Sequence, residues 1–200
     1  MSKLKICGLR RPEDMEYANI CRPDYIGFVF AESKRRVSPE QAAELKAKLD
    51  SGIKAVGVFV DEEIGVIQRL CENGTIDLVQ LHGDEDGGYI ERLKSKIRQP
   101  VIKAVAVGGG PIDTAYPADY LLFDAYSRSA RGGSGETFDW NRLGAVKRPY
   151  FLAGGLNAEN VGEAVRRLVP YCVDISSGAE TDGKKDLEKM RKITEKLRGV

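Results

Sequence analysis

The chain has 200 residues, 42% of them hydrophobic, which is enough for one folded domain with a sizeable core. Lys and Arg number 31 against 30 Asp and Glu, so no global charge calls for a nucleic acid or an anionic membrane. No apolar run reaches the length of a membrane span, and the apolar patch after Met1-Ser2-Lys3 is too short for an export signal.

Apolar runs rich in Val, Ile, Leu, Tyr and Phe, bounded by turn signals, predict strands at 3–7, 24–30, 54–60, 76–81, 100–106, 119–123, 149–153 and 171–175. Helix patterns fall between them. The first covers 12–20, with Pro12 in its first turn; the second covers 38–49, with Ser38 as N-cap and Pro39 at the first position. Others follow at 62–72, 85–97, a short one near 111–115, 139–146, 157–168 with Asn157 as its cap, and 183–198. Alternating strand and helix units of this number predict one closed parallel (β/α)8 TIM barrel, a single domain over 1–200. The Gly108-Gly109-Gly110-Pro111 break is too brief for a linker and reads as a shortened fifth helix region. An open doubly wound sheet is the structural alternative. It would be favoured by a G-x-G-x-x-G after the first strand, where Gly8 stands alone.

Cys7, Cys21, Cys71 and Cys172 lie far apart with no C-x-x-C spacing, which points away from zinc and redox pairs. Free thiols without an export signal fit a reducing cytoplasm. His82 is the sole histidine, which excludes a histidine-rich metal site and any triad needing a second imidazole.

In a parallel barrel the carboxyl ends of the strands face the active site. That rule selects Cys7, Arg35, His82, Asp124, Gly154-Gly155 and Asp174 through Gly178. Phosphate is often held by the loops after strands seven and eight, through backbone N–H groups. Gly154, Gly155, Ser176, Ser177 and Gly178 fall there; two tight βα turns are the plainer reading. Lys5 stands two residues before Cys7 and so shares its strand face. If that face is inward, its ammonium would favour the Cys7 thiolate, or would pair with a carboxylate such as Asp174. Read alone, Cys7 also fits a small apolar residue. Asp124 follows Leu121-Leu122-Phe123, and a carboxyl at a dry barrel mouth suits a general acid; capping a loop is its plainer role.

The stretch 119–140, DYLLFDAYSRSARGGSGETFDW, adds a glycine-rich run at Gly132-Gly133-Ser134-Gly135, a phosphate contact or the hinge of a closing loop. Together with Lys5-Ile6-Cys7-Gly8, Gly27-Phe28-Val29-Phe30, Ser33-Lys34-Arg35-Arg36, Ser38-Pro39, Val56-Gly57-Val58-Phe59-Val60 and Gln80-Leu81-His82-Gly83, it resembles the phosphoribosylanthranilate isomerases of tryptophan biosynthesis. Leu152-Ala153-Gly154-Gly155-Leu156-Asn157 and Val173-Asp174-Ile175-Ser176-Ser177-Gly178 continue the match, in family order, from residue 3 to about residue 186.

The resemblance implies an Amadori rearrangement of N-(5-phosphoribosyl)anthranilate to 1-(2-carboxyphenylamino)-1-deoxyribulose 5-phosphate. It makes Cys7 the general base and Asp124 the general acid, with no metal and no organic cofactor. Arg35 is the arginine whose spacing before Ser38-Pro39 matches the family, and it is expected to hold the anthranilate carboxylate. His82 and Asp174 are expected on substrate hydroxyls or on neighbouring loops. The expected partner is this small molecule alone, without nucleic acid or membrane, for a monomer or homodimer. The histidine-pathway ribonucleotide isomerase fits less well, because its two strand-end aspartates are matched here by Cys7 and Val105. Indole-glycerol-phosphate synthase uses inward lysines and glutamates. Lys5 and Lys103 are possible inward lysines here, without a matching glutamate set.

Overall fold

The computed structural model describes residues 1–108, 112–125, 139–143 and 146–199, with Ala125 by its backbone only. Eight parallel strands close into a barrel: β1 (Lys3–Cys7), β2 (Tyr25–Val29), β3 (Lys54–Phe59), β4 (Leu78–Leu81), β5 (Val101–Val107), β6 (Tyr120–Ala125), β7 (Tyr150–Leu152) and β8 (Cys172–Ile175). Closure is made by β1 against β8, with Lys5 in register with Asp174. The connecting helices are α1 (Pro12–Cys21), α2 (Pro39–Lys46), α3 (Ile64–Glu72), α4 (Gly87–Lys94), α5 (Val161–Leu168) and α6 (Leu187–Arg198). Among the described residues no helix is long and apolar enough to cross a membrane.

The strands read as nearly continuous apolar runs because both of their faces are buried. Side chains alternate, and the two sets form two cores. Ile6, Ile26, Phe28, Phe59, Leu81, Leu121, Phe123 and Val173 pack outward with helix residues such as Met15, Leu45, Ile67, Ile90 and Ile193. Tyr25, Val56, Leu78, Ile102, Leu122, Phe151 and Cys172 fill the barrel interior. The amino end of the barrel is shut by aromatic rings: Tyr120 stacks on Tyr171 at 4.9 Å between centroids, and Phe151 meets Tyr25 and Tyr171 at 5.7 Å. Lys3 sits 5.1 Å from the centre of the Tyr171 ring and closes that end with a cation–π contact. The interior is therefore sealed below, and access is from the carboxyl ends.

The expected strands are all present, with shifted ends. The sixth strand does not stop at Phe123. It continues through Asp124 and Ala125, paired with Ala106 and Val107 of β5. Asp124 is thus held by strand hydrogen bonds and is not the first residue of a loop. Residues 112–117 form no helix, against the expectation near 111–115; Pro117 disfavours helical backbone at Tyr116 before it. Within the expected helix at 139–146, the described residues form a 3-10 turn, Trp140–Leu143. The expected loop at 126–135, with its glycine run, lies outside the described residues, as do 109–111 and 144–145.

Two helix starts also move. Asn157 is not the cap of α5. Its carboxamide oxygen accepts from the N–H groups of Glu159 and Asn160, which makes a turn, and the helix begins at Val161 after Asn160. The last helix begins at Leu187, capped by the Asp186 carboxylate on the Lys189 N–H at 3.1 Å. The residues before it form a hairpin, β9 (Glu180–Thr181) and β10 (Lys184–Lys185), turning at Asp182 and Gly183 with φ of 51° and 71°. Lys103, a possible inward lysine, points out of the barrel. It binds Glu85 at 2.8 Å and the Gly83 carbonyl at 2.7 Å.

Candidate active site

The carboxyl ends of the strands surround a cavity of about 860 Å³, within the usual range for a small-molecule site. Among the described residues its walls include Cys7, Arg35, Gln80, His82, Asp124, Gly154, Gly155, Asp174, Ser176 and Ser177. Every site residue expected from the sequence therefore meets there except Gly178. A side chain on Gly178 would run into the carbonyl oxygen of Leu156, so this glycine allows the loop after β8 to press onto the loop after β7.

Cys7 ends β1 and is buried. Burial raises its thiol above the ordinary value, while Lys5 pulls it down and Asp174 opposes Lys5. Lys5 is fully buried below it, with its ammonium on Asp174 Oδ2 at 2.8 Å and on Gln80 Oε1 at 2.9 Å. Burial opposes that charge, but Asp174 and Cys7 outweigh it and raise Lys5 above its ordinary value. Of the two roles foreseen for Lys5, the pairing with Asp174 is present as a 2.8 Å ion pair. Asp174 Oδ1 is buried and has no hydrogen-bond partner among the described residues. Asp174 as a residue lines the cavity.

Arg35 sits on the loop after β2, and its stem lies over Gly8, where a side chain would collide with it. Gly8 has φ of 83°, which glycine adopts at no steric cost. The guanidinium is already engaged. Its Nε and Nη2 donate to Glu180 at 2.7 and 2.8 Å, leaving three N–H groups for a ligand. Lys185 donates to the same carboxylate at 2.7 Å and to the Ser176 carbonyl at 3.0 Å. Burial alone would raise the Glu180 carboxyl; the Arg35 fork and Lys185 outweigh it and hold it at about 2. The cluster of two cations and one anion keeps one net positive charge at the cavity edge.

Gly154 and Gly155 leave β7 with φ of 87° and 62°. Asn160 ties this turn down, donating to the Gly155 carbonyl at 3.0 Å and accepting from the Asn157 N–H at 2.9 Å. On the adjacent loop, the Ser176 hydroxyl donates to the Cys7 carbonyl at 3.1 Å. This proton is spent within the protein, so Ser176 can offer a ligand its backbone rather than its side-chain O–H. His82 Nε2 lies 3.5 Å from Asp124 Oδ2, and its Nδ1 lies 2.9 Å from Gln80 Nε2.

Sequence reasoning missed Gln80, Glu180, Lys185 and Asn160. Gln80 was within reach, since it stands two residues before His82 on a strand and shares its face. Asp182-Gly183 is a hairpin signal that would have brought Glu180 opposite Lys185. The pairing of Glu180 with Arg35 spans 145 positions and carries no local signal.

The family model for N-(5'phosphoribosyl)anthranilate (PRA) isomerase matches residues 4–196. A relative from Endomicrobium trichonymphae, named N-(5'-phosphoribosyl)anthranilate isomerase, is 52% identical over 200 residues and matches along 100% of both chains. The crystal structure of phosphoribosyl anthranilate isomerase from Thermus thermophilus superposes with a TM-score of 0.86 at 36% identity, covering 98% of each chain. A phosphoribosyl anthranilate isomerase crystallised with reduced 1-(o-carboxyphenylamino)-1-deoxyribulose 5-phosphate superposes with a TM-score of 0.83 at 32% identity, over 100% of both chains. A match that runs through every strand of the barrel, and not through one motif, settles descent: the chain belongs to the N-(5'-phosphoribosyl)anthranilate isomerase family.

Proposed function

We propose that the chain catalyses the Amadori rearrangement of N-(5-phosphoribosyl)anthranilate to 1-(2-carboxyphenylamino)-1-deoxyribulose 5-phosphate, a step of tryptophan biosynthesis. The observation that carries this reading is the shared cavity: Cys7 and Asp124 line it together with Arg35 and the loops after β7 and β8. Asp124 gives a proton to the ribose ring oxygen as the bond from that oxygen to C1 breaks. The electron pair on the anilinic nitrogen forms the protonated imine, which makes the C2 proton acidic. Cys7, as thiolate, removes that proton, and the enolamine collapses to a ketone at C2 as the C2 hydroxyl gives up its proton and C1 takes up a proton, forming a new C–H bond. C2 is oxidised and C1 reduced within one molecule, so the enzyme is an intramolecular oxidoreductase of the aldose–ketose kind. The electrons never leave the substrate, so these steps balance with general acid and base alone.

The remaining groups have matching tasks. Lys5 favours the thiolate that Cys7 must reach, and Lys185 adds to that pull. The free N–H groups of Arg35 suit the anthranilate carboxylate. Asp174, at the cavity wall, suits a ribose hydroxyl, and His82 lies beside the acid. Gly154, Gly155, Ser177 and Gly178, with the backbone of Ser176, form the phosphate end. All four cysteines are buried and free, which fits a reducing cytoplasm.

The test is the fluorescence decay of freshly generated phosphoribosylanthranilate on adding the purified chain, beside Cys7→Ala and Asp124→Ala. Wild type should consume it rapidly, and each variant should lose about 10²–10⁴-fold in kcat. Activity that survives one substitution removes that residue from its role. A folded wild type without activity removes the proposal.

A further inference from the structure

Five polar side chains run in line across the floor of the cavity. Asp174 Oδ2 accepts from Lys5 at 2.8 Å, Lys5 donates to Gln80 Oε1 at 2.9 Å, Gln80 Nε2 meets His82 Nδ1 at 2.9 Å, and His82 Nε2 faces Asp124 Oδ2 at 3.5 Å. The line joins the surroundings of the base to the acid.

Its hydrogen-bond polarity follows from chemistry. An ammonium has three donors and no acceptor, so the Gln80 atom against Lys5 must be the oxygen. Lys5 is 0% exposed and Gln80 1% exposed, so water offers no other arrangement. With its oxygen on Lys5, Gln80 presents its NH₂ group to His82 Nδ1. An amide nitrogen donates and does not accept, so Nδ1 carries no proton. The ring proton then sits on Nε2, the atom nearest Asp124. Protonating Nδ1 would set two donors against each other in a part-buried contact.

Among the described residues, the charged groups around the ring leave this conclusion intact. Asp124 on β6 faces it directly. Lys103 on β5 and Glu85 after β4 are paired with each other at 2.8 Å. Asp61 after β3 accepts from the Asp84 N–H at 2.6 Å. Lys5 on β1 and Asp174 on β8 lie behind Gln80, and Arg35, Glu180 and Lys185 form their own cluster.

We propose that Lys5 and Gln80 lock His82 in its neutral, Nε2-protonated form, so that the general acid Asp124 faces an uncharged N–H donor. Gln80 is then a positioning residue for the reaction. An imidazolium 3.5 Å away would instead attract a full negative charge onto Asp124 and leave the acid spent before the ring opens. The inference rests on the reading of Asp124 as general acid.

Because His82 is the sole histidine, its two ring nitrogens give the only imidazole signals of the untagged chain. A long-range ¹H–¹⁵N correlation spectrum of ¹⁵N-labelled protein near neutral pH reads the tautomer directly. Wild type should show a protonated, pyrrole-like Nε2 and an unprotonated, pyridine-like Nδ1. Gln80→Glu keeps a partner for Lys5 but puts an acceptor against Nδ1. Its spectrum should show a proton on Nδ1, with kcat in single turnover of phosphoribosylanthranilate down roughly 10²-fold and KM near wild type. Gln80→Met, which fills similar space without a donor, should give a tautomer mixture and a smaller loss, and it serves if Gln80→Glu does not fold.

A wild-type spectrum of imidazolium, or of the Nδ1–H form, overturns the lock while leaving the isomerase reading untouched. A changed spectrum with unchanged kcat overturns the catalytic role of Gln80. An inactive wild type with the neutral Nε2–H signature overturns the link to catalysis through the failure of the isomerase reading itself.

Discussion

Lys5 is a cation at the centre of a barrel, and it exists there because two acceptors and a thiol surround it. Its partner Asp174 is 8% exposed and depends on it in turn. Breaking a buried pair from one side strands the other charge, which costs about 3–5 kcal/mol, whereas removing both charges costs far less. Lys5→Met should therefore lower stability in urea by about that amount, and Lys5→Met with Asp174→Asn should recover most of it. A single-variant loss below about 1 kcal/mol would mean that water reaches Asp174. That Lys5 shares the face of Cys7 was legible from strand alternation, and the barrel turns that face inward. Its second partner was not. Gln80 lies 75 positions away, and only the closure of the barrel brings β4 opposite β1.

The hairpin β9–β10 is the element the sequence reading lacked, and it braces the site from outside the barrel. Through Glu180 and Lys185 it joins the loop after β2 to the loop after β8, and the Lys185 carbonyl accepts from Arg11 at the head of α1. The eight strands were legible because parallel strands buried on both faces are nearly continuous apolar runs. A two-residue strand has no such run, and its one signal is the Asp182-Gly183 turn. The helix expected near 111–115 is absent from 112 to 115, and Pro117 keeps a helix from running on through Tyr116. The brace has a signature in acid. Glu180 titrates near 4.5 when unfolded and at about 2 in the fold. Its contribution is thus complete above the unfolded value and disappears as pH falls towards 2. Urea midpoints taken down the acid limb should fall more steeply for wild type than for Glu180→Gln, by roughly 3 kcal/mol across that window. Parallel curves would mean that the Arg35 fork contributes nothing net.

The barrel has one closed end and one open end, and the chemistry follows that polarity. Aromatic rings and Lys3 shut the amino end, so a ligand enters only among the loops at the carboxyl ends. Those loops are held by contacts between units far apart in sequence: Arg35 with Glu180, Ser176 with Cys7, and Gly178 against Leu156. A ligand spanning the phosphate end and Arg35 therefore ties the first, second, seventh and eighth units of the barrel into one body and stabilises the whole fold. Reduced 1-(o-carboxyphenylamino)-1-deoxyribulose 5-phosphate at about 100 times its Kd should add about 2.7 kcal/mol. For a domain of this size that raises Tm by roughly 5–10 °C. The same compound without its phosphate, at equal concentration, should give a much smaller rise, because the glycine turns after β7 and β8 then hold nothing. Gly155→Val should abolish the difference between the two compounds, since its φ of 62° is strained for a β-branched residue and the turn must open. Equal shifts from both compounds with the wild-type chain would place the phosphate elsewhere and leave those two turns as plain connections.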